Sequence, residues 1–145
     1  MPSLLSQSRI MILANRIGLL TPDELIAWAD GMILGTSEPP CYLIDLALGD
    51  LPTDPEALDL VRNEPNESEI AQLAQLILER FNDTSEMNAL GLHCYQLALL
   101  AKGQSRERLL WMSDEIHLCV EGIKSLSDSE PLLMEALLET ARPTI

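Results

Sequence analysis

TPDELIAWADGMILG, residues 21–35, carries the marks of one complete α-helix. Thr21 suits the capping position, Pro22 the first helical residue, and Glu24 stands where it can return a hydrogen bond to the cap. Leu25, Trp28, Ala29 and Met32 then recur at i, i+3, i+4 and i+7, which places all four on one side of a helix. Gly35 ends the pattern. The spacing predicts a helix over 22–34 with one core-facing stripe.

The same punctuation recurs in both directions. Asp54 and Pro55 open another segment, and Asn66 with Glu69 opens a third. The third carries Ile70, Leu73, Ala74, Ile77 and Phe81 as a second stripe. Asp83 with Glu86 opens a fourth, and Gly18, Gly49 and Gly103 stand where a left-handed residue would close the preceding helix. Eight helices follow from these signals, at about 3–17, 22–34, 39–48, 55–63, 67–81, 84–101, 105–122 and 130–141. Their connections are short, as in compact helical domains. No period-two strand pattern is present. Aromatic residues are only 3% of a chain that is 47% apolar, so the core must come mainly from Leu, Ile, Ala and Met, which suit helices better than strands. The expected fold is all-α: a single compact domain over 1–145, a bundle of seven to eight short helices.

Two segments are apolar nearly all round. In 84–101, Met87, Ala89, Leu90, Leu92, Cys94, Tyr95, Leu97, Ala98, Leu99 and Leu100 cover most of the circumference, with Glu86, His93 and Gln96 forming a narrow polar strip. Such a helix is expected at the centre of the bundle, with Gly91 admitting a close neighbour. In PPCYLIDLALGD, residues 39–50, the aliphatic residues occupy most of the surface. Tyr42, Asp45 and Gly49, at i, i+3 and i+7, are the edge expected to face water.

The formal charge is −14, from 23 acidic and nine basic residues. No Lys or Arg lies between Arg16 and Arg62, whereas Asp23, Glu24, Asp30, Glu38, Asp45, Asp50, Asp54, Glu56 and Asp59 all do. A charge of this sign repels nucleic acid and anionic membranes and attracts a basic protein. Cys41, Cys94 and Cys119 are odd in number and widely spaced, which fits reduced thiols in a cytoplasmic protein. The N-terminal residues lack a signal-peptide pattern, and Asn15 with Arg16 interrupts the one apolar run near them.

Signatures of catalysis are scarce. Asp114, His117 and Glu121 share one side of a helix, yet a helical-bundle metal site asks for Glu-x-x-His motifs on paired helices. His93 beside Cys94 and His117 near Cys119 point in different directions on a helix, against zinc or Cys/His catalysis. Neither a nucleophile elbow nor a phosphate-binding glycine loop occurs. The expectation is a non-enzymatic protein without metal or cofactor. Leu109, Met112, Ile116, Cys119, Val120 and Ile123 form the core stripe of the 105–122 helix. Trp111 and Leu118 lie on its far side, rimmed by Glu107, Asp114 and Glu115. That pair is covered by a second layer of helices, or it is exposed as a pair of interface anchors.

In size, acidity and helix content the chain resembles bacterial immunity proteins, which neutralise a toxin such as a nuclease by covering its basic site. The resemblance implies an inhibitor that masks a basic protein. The residues expected to carry the contact are read from the chain itself: Asp30, Tyr42, Asp45 and Asp50 as the acidic face, with Trp111 and Leu118 as anchors. The alternative expectation is a self-associating structural or regulatory subunit, a homo-oligomer joined through Trp111 and Leu118.

Overall fold

In the computed structural model the Thr21 hydroxyl accepts the Glu24 amide at 3.1 Å, and the Glu24 carboxylate accepts the Thr21 amide at 3.1 Å. Asn66 and Glu69 form the same reciprocal cap, at 2.8 and 2.9 Å. Each pair satisfies two amides that a helix start would otherwise leave bare. The structure describes residues 3–53, 60, 64–80 and 87–141. Among them the regular structure is entirely helical: α1 (Leu4–Arg16), α2 (Pro22–Leu34), α3 (Cys41–Ala47), α4 (Glu67–Arg80), α5 (Met87–Leu100), α6 (Gly103–Val120) and α7 (Leu126–Ala141). The expected all-α class holds. The helix expected over 55–63, the opening at Asp83 and Glu86, and Phe81 lie outside the described residues.

By internal contacts the chain divides into two units, 1–63 and 64–145. In the first, Ile12 of α1, Leu25 and Ala29 of α2, Leu43 and Leu46 of α3, and Leu60 form one buried cluster. Arg9 is buried in the same unit, where its Nη1 donates to the Leu60 carbonyl at 2.9 Å. Gly49 closes α3. Its φ of +83° lets its amide reach the Leu46 carbonyl at 3.1 Å while Asp50 donates to the Asp45 carbonyl at 2.9 Å. A residue with a Cβ meets strain in that conformation.

The second unit is a ring of four helices, in which α4 packs on α5, α5 on α6, α6 on α7, and α7 on α4. Ile70, Leu73, Ala74 and Ile77 of α4 are buried, as their stripe predicts. Cys94, Leu97 and Ala98 of α5, Leu109, Met112 and Ile116 of α6, and Leu133 and Leu137 of α7 are buried as well. α5 has neighbours on both sides, but one stripe of it remains uncovered.

Several expected boundaries move. α3 starts two residues later than 39, because Pro40 holds extended backbone as the N-cap and a proline disfavours helical geometry in the residue before it. α6 ends before Gly122, whose φ of +76° closes the helix: Gly122 donates to the Cys119 carbonyl and Ile123 to the Leu118 carbonyl. Gly103, expected to close α5, instead opens α6 with φ of +63°. α7 begins at Leu126 rather than 130, with Pro131 inside it. A proline there forfeits one intrahelical bond. The carbonyl left over belongs to Ser127, which is exposed to water.

Candidate functional site

In the acidic unit α2 turns Leu25 and Ala29 inward and Asp23, Glu24, Ala27, Asp30 and Leu34 outward. α3 does not present the edge expected of it. Tyr42 is half-buried against the core cluster, and burial raises its phenol above the ordinary value. Asp45 is also only half-exposed. The face that meets water is Cys41, Ile44 and Leu48, at i, i+3 and i+7, with Leu48 71% exposed. The reason is geometric. A seven-residue helix makes two turns, and the core takes the side holding Leu43 and Leu46. Tyr42 flanks that side and is drawn in with it, so Cys41, Ile44 and Leu48 on the opposite side are left in water. Leu51 and Asp50 are exposed just beyond. Asp30, Glu38 and Asp50 therefore share the water-facing surface of this unit with Leu34, Ile44, Leu48 and Leu51.

Trp111 lies on α6 and is 41% exposed. It lines an open groove of about 270 Å³ between α6 and α7 with Arg108, Leu132, Glu135, Ala136 and Glu139. Leu118, expected beside it as a second anchor, is half-buried. Glu107 and Asp114 are exposed, but the third expected rim residue is not. Glu115 is 5% exposed; it accepts from Lys124 Nζ and, at 2.9 Å, from Ser129 Oγ. Those two hydrogen bonds, Lys124 first, hold its carboxyl below the ordinary range, against the desolvation that opposes them. Sequence spacing could not pair Glu115 with residues nine and fourteen positions away. The acids at the groove are instead Glu135 and Glu139, four apart on α7; their spacing is visible in the sequence, but only the packing of α7 on α6 brings them to Trp111. Val120 and Ile123, expected in the α6 core stripe, are exposed, because the bend after Gly122 leaves the last turn of α6 uncovered.

A second groove, of about 230 Å³, runs between α5 and α6 and is lined by Gly91, Leu92, Tyr95, Ser113, Ile116, His117 and Val120. A Cβ on Gly91 would sit 3.1 Å from Cγ2 of Ile116. The missing side chain is what lets α5 come this close to α6. Leu92, Tyr95 and Leu99, on the outer side of α5, are 54%, 44% and 49% exposed.

Among the described residues no three His, Cys, Asp or Glu side chains are placed to hold a metal ion. His117 and Glu121 approach to 4.0 Å on an exposed turn of α6. The Cys94 thiol is buried and pushed up to about 12 by desolvation, so it is protonated at neutral pH and unsuited to nucleophilic attack. No described helix is long and apolar enough to cross a membrane. Comparison of the chain with protein families, with curated proteins and with solved structures gives no match in any of the three.

Proposed function

We propose that this chain is an acidic helical binding module that engages and masks a basic partner protein, in the manner of an immunity or antitoxin protein. The observation that carries the reading is the mixed surface of the first unit. Its exposed acids, Asp30, Glu38 and Asp50, alternate along the chain with exposed Leu34, Ile44, Leu48 and Leu51, in a stretch without one Lys or Arg. Negative charge steers a cationic protein to such a surface, and the aliphatic side chains then lose water on contact. The groove at Trp111, with Glu135 and Glu139 on its α7 side, offers the second unit's own anchor of the same kind, since exposed tryptophan in a concave site is a frequent energetic centre of interfaces.

The test is to co-express the chain with the product of the adjacent open reading frame and follow association by stopped flow. A one-to-one complex is expected, with an association rate that falls at least about tenfold from low to high salt. Asp30→Lys with Asp50→Lys should slow association, whereas Leu48→Ala and Trp111→Ala should shorten the lifetime of the complex. An association rate indifferent to salt, or variants indistinguishable from wild type, defeats the reading.

A further inference from the structure

α6 and α7 run antiparallel, and the Trp111 groove lies between two polar ties that join them. At one end Arg108 Nε donates to the Thr140 hydroxyl at 3.3 Å. At the other, the Glu115 carboxylate accepts from Ser129 Oγ on one oxygen and from Lys124 Nζ on the other. Trp111 falls between Arg108 and Glu115 on α6, and Leu132, Glu135, Ala136 and Glu139 fall between Ser129 and Thr140 on α7. The groove is therefore bracketed on both helices. Glu115 is four residues from Trp111, which puts it on the same face and about 6 Å further along the axis.

The two ties differ in kind. Arg108 meets a neutral hydroxyl, whereas Glu115 brings a charge that is withdrawn from water. Lys124 stands outside it, about half exposed, on the turn that Gly122 opens with φ of +76°. The backbone amides of Ile123 and Lys124 donate back to the Leu118 carbonyl, which holds that turn against the end of α6. A buried carboxylate that loses its cation is driven to turn toward water. Glu115 cannot do so without releasing Ser129, and with it the first turn of α7.

From this arrangement we infer that Lys124 and Glu115 are positioning residues for the Trp111 groove: the exposed ammonium keeps the buried carboxylate in place, and the carboxylate fixes the separation of α6 and α7 that gives the groove its width. The inference rests on the basic-partner reading only for what the groove receives. The shape of the groove is measured without a partner, so either can fail alone.

The test is acrylamide quenching of Trp111 fluorescence in the full chain carrying Trp28→Phe, which removes the other tryptophan. Acrylamide is uncharged, so a change of charge beside the groove does not by itself alter its access. Trp111 is partly covered in the closed groove, and Lys124→Met should raise its quenching constant about 1.5- to 2-fold as the groove opens. Lys124→Arg, which keeps the cation, should stay close to the parent. Glu115→Gln combined with Lys124→Met leaves neither charge, and should lie nearer the parent than Lys124→Met alone. A space-filling role for Lys124 gives no such recovery. Unchanged quenching in Lys124→Met overturns the inference, and so does a double variant quenched as strongly as Lys124→Met or an arginine variant that behaves like the methionine one. If Lys124→Met unfolds the chain, the other two variants decide: a parental value in both supports the inference, and a raised value in either overturns it. With a basic partner in hand, Lys124→Met should shorten the lifetime of the complex as Trp111→Ala does. A lifetime unchanged while the quenching rises supports the positioning role and counts against the groove as a partner site.

Discussion

α3 and α5 are the two helices whose sequences are apolar nearly all round, and each leaves an aliphatic stripe in water. On α3 the stripe is Cys41, Ile44 and Leu48, with Asp45 beside it and Asp50 and Leu51 following. On α5 it is Leu92, Tyr95 and Leu99, with no charged residue in the helix. Two helices with the same excess of apolar residues thus present surfaces of different electrostatic character. The first has acids beside its exposed aliphatic side chains. The second carries no charge of its own. Apolar content alone does not distinguish them; the charges alongside do.

The largest expected contrast between the two helices is in thiol chemistry. Ordinary thiols titrate near about 8.5, so the upward shift of Cys94 to about 12 leaves it on the order of a thousandfold less thiolate at neutral pH. Cys41 is exposed on α3. Reaction with a chromogenic disulfide in the native state should label Cys41 readily and Cys94 only after unfolding. Rapid native labelling of Cys94 would show that the inner side of α5 is open.

Paired alanine substitutions sharpen the assignment of faces. Leu43→Ala and Leu97→Ala remove fully buried side chains, one from each helix, and each should cost about 3 kcal/mol in urea melts. Ile44→Ala and Leu92→Ala, on the outer sides, should cost less than about 1 kcal/mol at concentrations where the chain is monomeric. Equal costs at Leu43 and Ile44, or at Leu97 and Leu92, would mean that the helix is rotated from its described position.

Charge gives a third contrast, between acids facing water around α3 and the buried Glu115 of the second unit. Because its carboxyl titrates below the ordinary value in the folded state, Glu115 contributes stability above the unfolded value of about 4.3. That contribution is lost as pH falls through the lowered folded value. The melting temperature of wild type should therefore exceed that of Glu115→Gln from neutral pH down to about 4.3, with the gap closing below it. Curves that stay parallel to pH 3 would remove the Lys124 and Ser129 pairing as the cause.

The smallest effects concern two glycines of the first unit, one just after α3 and one inside α2. Gly49→Ala forces a Cβ onto a φ of +83° and should cost about 1 kcal/mol. Gly31→Ala, within α2 and with nothing within 4 Å of the added methyl, should stabilise by about 0.5–1 kcal/mol. Thermal melts of the two variants should move in opposite directions.

The helical class, the caps at Thr21 and Asn66 and the inward stripes of α2 and α4 were all legible in the sequence. Each depends on residues within four positions of one another, where the geometry of one helix decides the outcome. The side that α3 turns to the core was not legible. Its residues are apolar on both sides, and only the position of the neighbouring core, with Ile12 of α1, Leu25 and Ala29 of α2, and Leu60, selects Leu43 and Leu46 over Ile44 and Leu48. The same holds for α5, where local pattern sees an apolar circumference and cannot count the neighbours that will cover it. Helical spacing alone puts Glu115 on a rim beside Trp111, yet it is a buried, paired carboxylate because the turn after Gly122 brings Lys124 and Ser129 back to it. The sequence by itself determined which segments are helices and how much charge the chain carries. The tertiary structure decided which apolar and acidic side chains lie at the surface, because burial depends on which helices become neighbours, and that is settled between segments distant in the chain.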